Sequence, residues 1–266
     1  MVDSEKVSKE LLELSSEQRL NIMLNLLEKK SKLSTMAKKL NATTSEVFRN
    51  FGRLTKAEMI SKDSDGHYEL TSYGKSMCIL FSNIVFLSEN KKYFKNHYFG
   101  NLSEKFIQRI GALCEGQHIS GFSKILECWK QMFENADEYI YGILYEEPLD
   151  LIEPIVNKAK NGIKVNSIFS ENAIIPKGRK KILQELGFSD LIQNGSIQRK
   201  MKKDIKVVVV LNEKEATVMF PSLNGDVDMS KMFYGDTELF HEWCLDYFRY
   251  CWYGSDVFRE SKLAED

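Results

Sequence analysis

The sequence is poor in the residues that mark special chemistry. Its five cysteines form no CxxC pair, which disfavours a secreted disulfide scaffold and fits reduced thiols. Four prolines and 15 glycines in 266 residues exclude collagen-like or Pro-rich organisation. The longest apolar stretch, Met77 to Leu87, is interrupted by Ser82 and Asn83. At about 11 residues it is short of the roughly 20 a bilayer needs. The polar segment Met1 to Glu10 has no signal-peptide core, so a soluble, cytoplasmic protein without a membrane partner is expected. Charge of neither sign dominates: 37 Lys and Arg face 38 Asp and Glu, a net charge of −1. That excludes a uniformly basic protein but not a local basic face. Phosphate-loop, dinucleotide and nucleophile-elbow glycine motifs are absent.

What is present begins with the hydrophobic share, 43%, with 11% aromatic residues, enough to bury a core. At roughly 150 residues per domain the length suggests one large or two modest domains. Between Lys29 and Lys62 nine basic residues are opposed only by Glu46 and Glu58. A local charge of +7 in a neutral chain marks a candidate surface for an anionic ligand.

The same window reads as helices. Leu20, Met23, Leu24 and Leu27 follow a capping-box spacing from Ser15 to Gln18. Leu33, Met36, Ala37 and Leu40 repeat the spacing, with Ser34 as N-cap. After the break at Asn41-Ala42, Thr43 and Glu46 form another capping-box spacing. Val47, Phe51 and Leu54 then make a buried stripe. At 100° per residue, Ser45, Arg49, Gly52, Arg53 and Lys56 fall on the opposite side of that helix, within an arc of about 100°. Met59 to Lys62, the turn Asp63-Ser64-Asp65-Gly66 and His67 to Leu70 read as a β-hairpin. A long helix follows from Ser72 to about Lys92, with a broad apolar face.

Beyond about Asn101, strands and helices alternate. Strands are expected at Tyr139 to Leu144, Lys164 to Phe169, Ile205 to Leu211, Ala216 to Phe220 and Met229 to Phe233. Helices are expected at Phe122 to Asn135, Pro148 to Lys160, Gly178 to Leu186 and Asp236 to Trp252. The expected fold is α+β: a winged helix-turn-helix over 1–75, a linking and dimerisation helix over 76–100, and over 101–266 an α/β domain with a mostly parallel sheet and an antiparallel hairpin that turns at Asn212 to Glu215.

Residues 15–75 resemble the winged-helix domains of archaeal and bacterial transcription regulators, in which a Leu-Thr-x-x-Gly exit, here Leu70 to Gly74, follows the wing. The remainder resembles the α/β effector domain of archaeal two-domain regulators of the methanogenesis-regulator and TrmB-like types. That domain is similar to a phospholipase D fold that has lost its catalysis. The resemblance implies a dimeric cytoplasmic repressor or activator. It carries over no ligand, because no sugar-binding motif is matched.

In the base-reading role the helix offers Arg49 and Arg53, whose forks suit guanine in a major groove. Thr43, Thr44 and Ser45 at its start, with Lys56, suit phosphate. Lys62 and His67 flank the wing within reach of an adjacent groove. Double-stranded DNA and a second copy of the chain are the expected partners. In open α/β sheets ligands lie beyond the carboxyl ends of strands, which places a pocket for an unidentified small-molecule effector at Tyr145, Glu146, Glu147, Ser170, Glu171 and Asn172.

Other constellations carry less. None of His67, His97, His118 and His241 has Lys two positions on, so phospholipase chemistry lacks its motif, and no catalytic residue, metal or cofactor is expected. His241 and Cys244, one turn from Glu238, form a bare H-x-x-C better read as helix surface with a packed thiol. The aromatic run Phe240, Trp243, Tyr247, Phe248, Tyr250, Trp252 and Tyr253 is read as core, and Arg199, Lys200, Lys202 and Lys203 as a solvated hairpin edge. Two function classes follow: a sequence-specific DNA-binding transcription regulator with a sensing domain, and an enzyme with a phospholipase D-like domain and an accessory nucleic-acid-binding head.

Overall fold

The computed structural model describes residues 3–263. The chain divides into two compact units, Met1–Ile84 and Val85–Asp266. The boundary falls within the long helix, inside the segment 76–100 set apart in the sequence.

The first unit contains α1 (Ser4–Leu14), α2 (Glu17–Glu28), α3 (Leu33–Lys39), α4 (Thr44–Lys56), β1 (Ile60–Lys62), β2 (Tyr68–Leu70) and most of α5 (Ser72–Glu89). Ile22, Met23 and Leu26 of α2, Met36 and Ala37 of α3, and Val47, Phe51 and Leu54 of α4 build its core. The hairpin closes it with Met59, Ile60 and Leu70, pairing Ile60 with Leu70 and Lys62 with Tyr68. Asn41 takes the left-handed φ of 47°, which sharpens the turn between α3 and α4.

The Leu-Thr-x-x-Gly exit has a packing explanation. Leu70 is buried. The Thr71 hydroxyl accepts from the Gly74 amide at 3.0 Å and donates to the Glu58 carbonyl at 2.7 Å, capping α5 on the hairpin base. A Cβ on Gly74 would lie 2.0 Å from the Met59 carbonyl oxygen, so only glycine lets the helix start this close.

The second unit contains α6 (Glu104–Ile107), β3 (Gln117–Ser120), α7 (Phe122–Asn135), β4 (Tyr139–Glu146), α8 (Ile152–Lys160), β5 (Lys164–Ile174), α9 (Arg179–Glu185), α10 (Phe188–Gln193), β6 (Ile197–Lys202), β7 (Val208–Asn212), β8 (Ala216–Met219), β9 (Lys231–Gly235), α11 (Glu238–Tyr253) and β10 (Asp256–Val257). A final 3-10 turn covers Glu260–Lys262. The eight strands form one sheet in the order β10-β6-β5-β4-β7-β8-β9-β3.

The α+β class holds, but the sheet is mixed rather than mostly parallel. Among the described residues only β4/β5 and β5/β6 pair parallel; the other five pairings are antiparallel. The reason is local. After β7 the chain returns at once, because Asn212 Oδ1 accepts from the Lys214 and Glu215 amides at 2.8 and 2.9 Å. That Asx turn commits β8 to antiparallel pairing, and β9 and β3 extend the meander.

Every residue of β7 and β8 is buried, which explains the unbroken apolar run of a central strand. In α11, Phe240, Trp243, Cys244, Tyr247, Phe248 and Cys251 face the core, whereas Tyr250 and Tyr253 are exposed. Trp243 Nε1 donates to the Phe106 carbonyl at 3.1 Å, so its polar edge is satisfied inside the core. No helix among the described residues is long and apolar enough to cross a membrane.

Candidate nucleic-acid interface

The α4 helix starts on a complete capping box. The Thr43 hydroxyl accepts from the Glu46 amide at 3.2 Å, while the Glu46 carboxylate accepts from the Thr43 amide at 2.9 Å and its hydroxyl at 2.7 Å. Those bonds hold the Glu46 carboxyl below the usual carboxylate range, the Thr43 hydroxyl being the main cause. Both donors of Thr43 are thus engaged by its own helix. Thr44 and Ser45, both exposed, remain to offer hydroxyls outward.

Val47, Phe51 and Leu54 are buried, and Phe48, Arg49, Gly52, Arg53, Thr55 and Lys56 are exposed. Arg49 and Lys56 make no hydrogen bond or ion pair among the described residues. Arg53, one turn from Arg49, is in a different state. Its Nε and Nη2 donate to the two oxygens of Glu13 at 2.9 and 2.8 Å. The same fork holds the Glu13 carboxyl below its ordinary range. Arg19, almost fully buried, donates to the carbonyls of Leu12 and Glu13 and so fixes the α1–α2 turn that presents Glu13. The outer face therefore combines one intramolecularly paired arginine with two cations that make no ion pair among the described residues.

Phe48 was not singled out in the sequence, yet it is 63% exposed on this face. The signal was present: at 100° per residue it falls about 60° from Ser45 and on the outer side. Gly52 has nothing within 4 Å of a built Cβ, so packing within the chain gives no reason for a mid-helix glycine that costs about 1 kcal/mol against alanine.

The hairpin is pinned at its turn by Asp63. Its carboxylate accepts from the His67 amide at 2.8 Å, the Asp65 amide at 3.0 Å and Lys30 Nζ at 2.9 Å. Lys30 first, then the His67 amide, hold the Asp63 carboxyl down to about 2. A depressed carboxyl stabilises the fold above its unfolded value and loses that contribution as pH falls through the folded one. Hydrogen exchange at the His67 amide should therefore accelerate as pH falls from about 4 toward 2, after correction for intrinsic rates. Asp63→Asn should be faster at neutral pH and flat across that window; a wild-type profile that is also flat contradicts the pinning role. Lys62 sits over the Tyr68 ring at 5.6 Å, and the His67 ring is partly exposed.

Of the expected effector residues, Glu146 and Glu147 line one cavity, and Tyr145, Ser170 and Glu171 do not line it. The β5 strand runs to Ile174, so Ser170, Glu171 and Asn172 lie within it, not beyond its end. The strand persists because its pairing with β4 resumes, Glu146 opposite Ile174, after an irregularity at Leu144/Glu146. Ser170 is buried, and Glu171 accepts from Lys262. The side chain of Asn172 lies outside the described residues. Tyr145 and Glu146 are half-buried. Glu147 accepts from the buried Arg179, and burial raises its carboxyl while Arg179 opposes the rise. Of the basic cluster, Lys203 is exposed as a solvated edge requires, but Arg199 and Lys200 are engaged. Arg199 pairs with Glu260 at 3.1 Å, Lys200 lies 4.8 Å over the Trp252 ring, and β10 covers the strand.

No family model and no curated protein matches the chain. Among solved structures it is similar to TrmBL2, described as an archaeal chromatin protein with a novel mode of DNA binding, at 12% identity and a TM-score of 0.41 over 96% of this chain and 100% of that one. NucT from Helicobacter pylori is similar over 54% of this chain and 99% of that chain, at 15% identity and a TM-score of 0.42. The phospholipase D family member Nuc from Salmonella typhimurium is similar over 55% of this chain and all of that chain, at 14% identity and a TM-score of 0.39. At these scores none of the three transfers a function.

Proposed function

We propose that the chain is a sequence-specific DNA-binding transcription regulator. Its first unit acts as a winged helix-turn-helix with α4 as the recognition helix, and its second unit senses an effector. The observation that supports this best is the face of α4. Arg49 and Lys56 stand exposed, opposite a fully buried Val47-Phe51-Leu54 stripe, on a helix about as wide as a major groove admits.

Arg49 then reads a base edge, and Lys56 with Thr44 and Ser45 holds phosphate. Arg53 reads only after it exchanges Glu13 for DNA, so Glu13 lowers affinity by occupying one of the two forks. Lys62 and His67 approach the neighbouring groove. Arg49→Ala should cost on the order of 1–3 kcal/mol at the best site and relax one base position. Lys56→Ala should weaken all duplexes alike and lower the salt slope by about one. Titration of both variants against a selected and a scrambled duplex over a salt series checks this. Parent-like binding by both removes α4 from the interface.

The reading includes a homodimer through α5. Ile79, Leu80, Ile84 and Leu87 are exposed, Ile79 at 69%, and Leu80, Ile84 and Leu87 share one side of the helix within about 60°. An apolar stripe of this kind suits a second copy. Sedimentation at micromolar concentration should give a dimer, and Leu80→Glu with Ile84→Glu a monomer. A strictly monomeric parent contradicts this part.

A further inference from the structure

A cluster of four charges lies among α9, β6, the end of β4 and the final turn, remote in sequence from α4. Arg179 is 1% exposed. Its Nε donates to Glu147, and its Nη1 donates to one oxygen of Glu260 at 2.7 Å. Arg199 Nη1 donates to the other oxygen of Glu260 at 3.1 Å. One carboxylate therefore bridges two guanidinium groups. The bridge is asymmetric in depth: the Glu260 side chain is 44% exposed, whereas that of Arg199 is 15% exposed. The arginines belong to the body of the unit, and the carboxylate is laid onto them from a short surface turn.

Two further donors at this place have no partner. Arg179 Nη2 and Arg199 Nε are buried without a hydrogen bond, which a native fold rarely leaves so. Arg199 also lines, with Glu146 and Glu147, a cavity of about 40 Å³ whose other walls are mainly apolar side chains, among them Leu144, Phe169 and Phe188. By volume it accepts roughly three water-sized groups. The Arg199 guanidinium lies over the rings of Phe258, at 4.0 Å, and Phe188, at 5.0 Å. Phe258 comes from the same terminal segment as Glu260.

We propose that Arg179 and Arg199 form the binding site for a small organic acid, whose carboxylate replaces that of Glu260 and whose short apolar chain enters the adjoining cavity. Residues 256–263 are the built-in occupant that this acid displaces. Charge supports a carboxylate over a neutral ligand. The two arginines are balanced by Glu147 and Glu260; an incoming carboxylate preserves that balance, and a neutral molecule leaves a buried cation unmatched. The cavity supports an apolar chain over a bare inorganic oxyanion. Displacement also frees Lys262 from Glu171, so the acid couples to the position of the whole terminal turn.

This names the effector of the regulator proposed above, but it needs no DNA. Calorimetric titration of the full chain alone, with isovalerate, its neutral amide and inorganic phosphate, keeps its failure separate from failure of DNA binding. Isovalerate should bind saturably, and the amide at least about tenfold more weakly. Glu260→Gln, a partly exposed change that weakens the internal competitor, should bind isovalerate several-fold more tightly than the parent. Arg199→Met in the Glu260→Gln background should lose that binding while its far-ultraviolet dichroism is retained. No saturable isovalerate binding to parent or Glu260→Gln overturns the proposal, as does phosphate binding without isovalerate binding. Weaker isovalerate binding by Glu260→Gln overturns the displacement step.

Discussion

Phe51→Ala is expected to destabilise the first unit strongly while leaving the second unchanged. Phe51 is 1% exposed at the centre of a small core, with its ring centroid 4.3 Å from that of Tyr68. Truncating a buried phenylalanine costs about 3–5 kcal/mol through lost transfer energy and the cavity left behind. A unit of this size has only about 5–15 kcal/mol in total. All three tryptophans, Trp129, Trp243 and Trp252, lie in the second unit, so the two transitions are separable. In a denaturant titration the helical dichroism should show an early transition in the variant, with the tryptophan emission midpoint unmoved. A single transition at the parent midpoint contradicts the assignment of Phe51 as the keystone of that core.

Arg179→Met is expected to be as costly, in the other unit. The methionine fills much of the same space, but Glu147 then lies buried beside no guanidinium fork of its own. Breaking a buried ion pair from one side costs about 3–5 kcal/mol. The sign of the pH response follows from burial, which raises the Glu147 carboxyl. With Arg179 gone, the largest opposition to that rise is lost and only the weaker pull of Arg199 remains. A carboxyl raised in the folded state favours folding at low pH and loses that contribution as pH climbs through the raised value. The variant should therefore recover stability, read by tryptophan emission, as pH falls from 7 toward 5, and more steeply than the parent, in which Arg179 opposes part of the rise. Glu147→Gln added to Arg179→Met should restore much of the loss at neutral pH. Equal loss in single and double variants contradicts the role of the charge.

The contrast between these two sites shows what a sequence can disclose. The core around Phe51 was legible because its signals are local. Thr43 and Glu46 are three apart, Val47, Phe51 and Leu54 recur at helical spacing, and the Leu70-Thr71 and Gly74 exit lies within five residues. The Arg179 cluster was not legible, since its partners lie 32 and 81 residues away and Arg199 read as part of a solvated basic run. The Glu13–Arg53 fork spans 40 residues and was missed for the same reason. It also depends on α1, which went unread although Asp3 caps it through the Glu5 and Lys6 amides and Val7, Leu11 and Leu14 recur at helical spacing. Sheet order followed likewise: the hairpin of β7 and β8 was visible in its turn residues, whereas β3 pairs with β9 more than a hundred residues on.

Selection of duplexes from a random pool by the full chain is the direct test of sequence reading by α4. An enriched motif should emerge and be bound with a steep salt dependence. Glu13→Gln, which frees Arg53, should bind it more tightly, and Arg49→Ala should lose enrichment at one position of the motif. A pool that stays random after selection, or an enriched motif that Arg49→Ala and Glu13→Gln both bind as the parent does, contradicts sequence reading by α4.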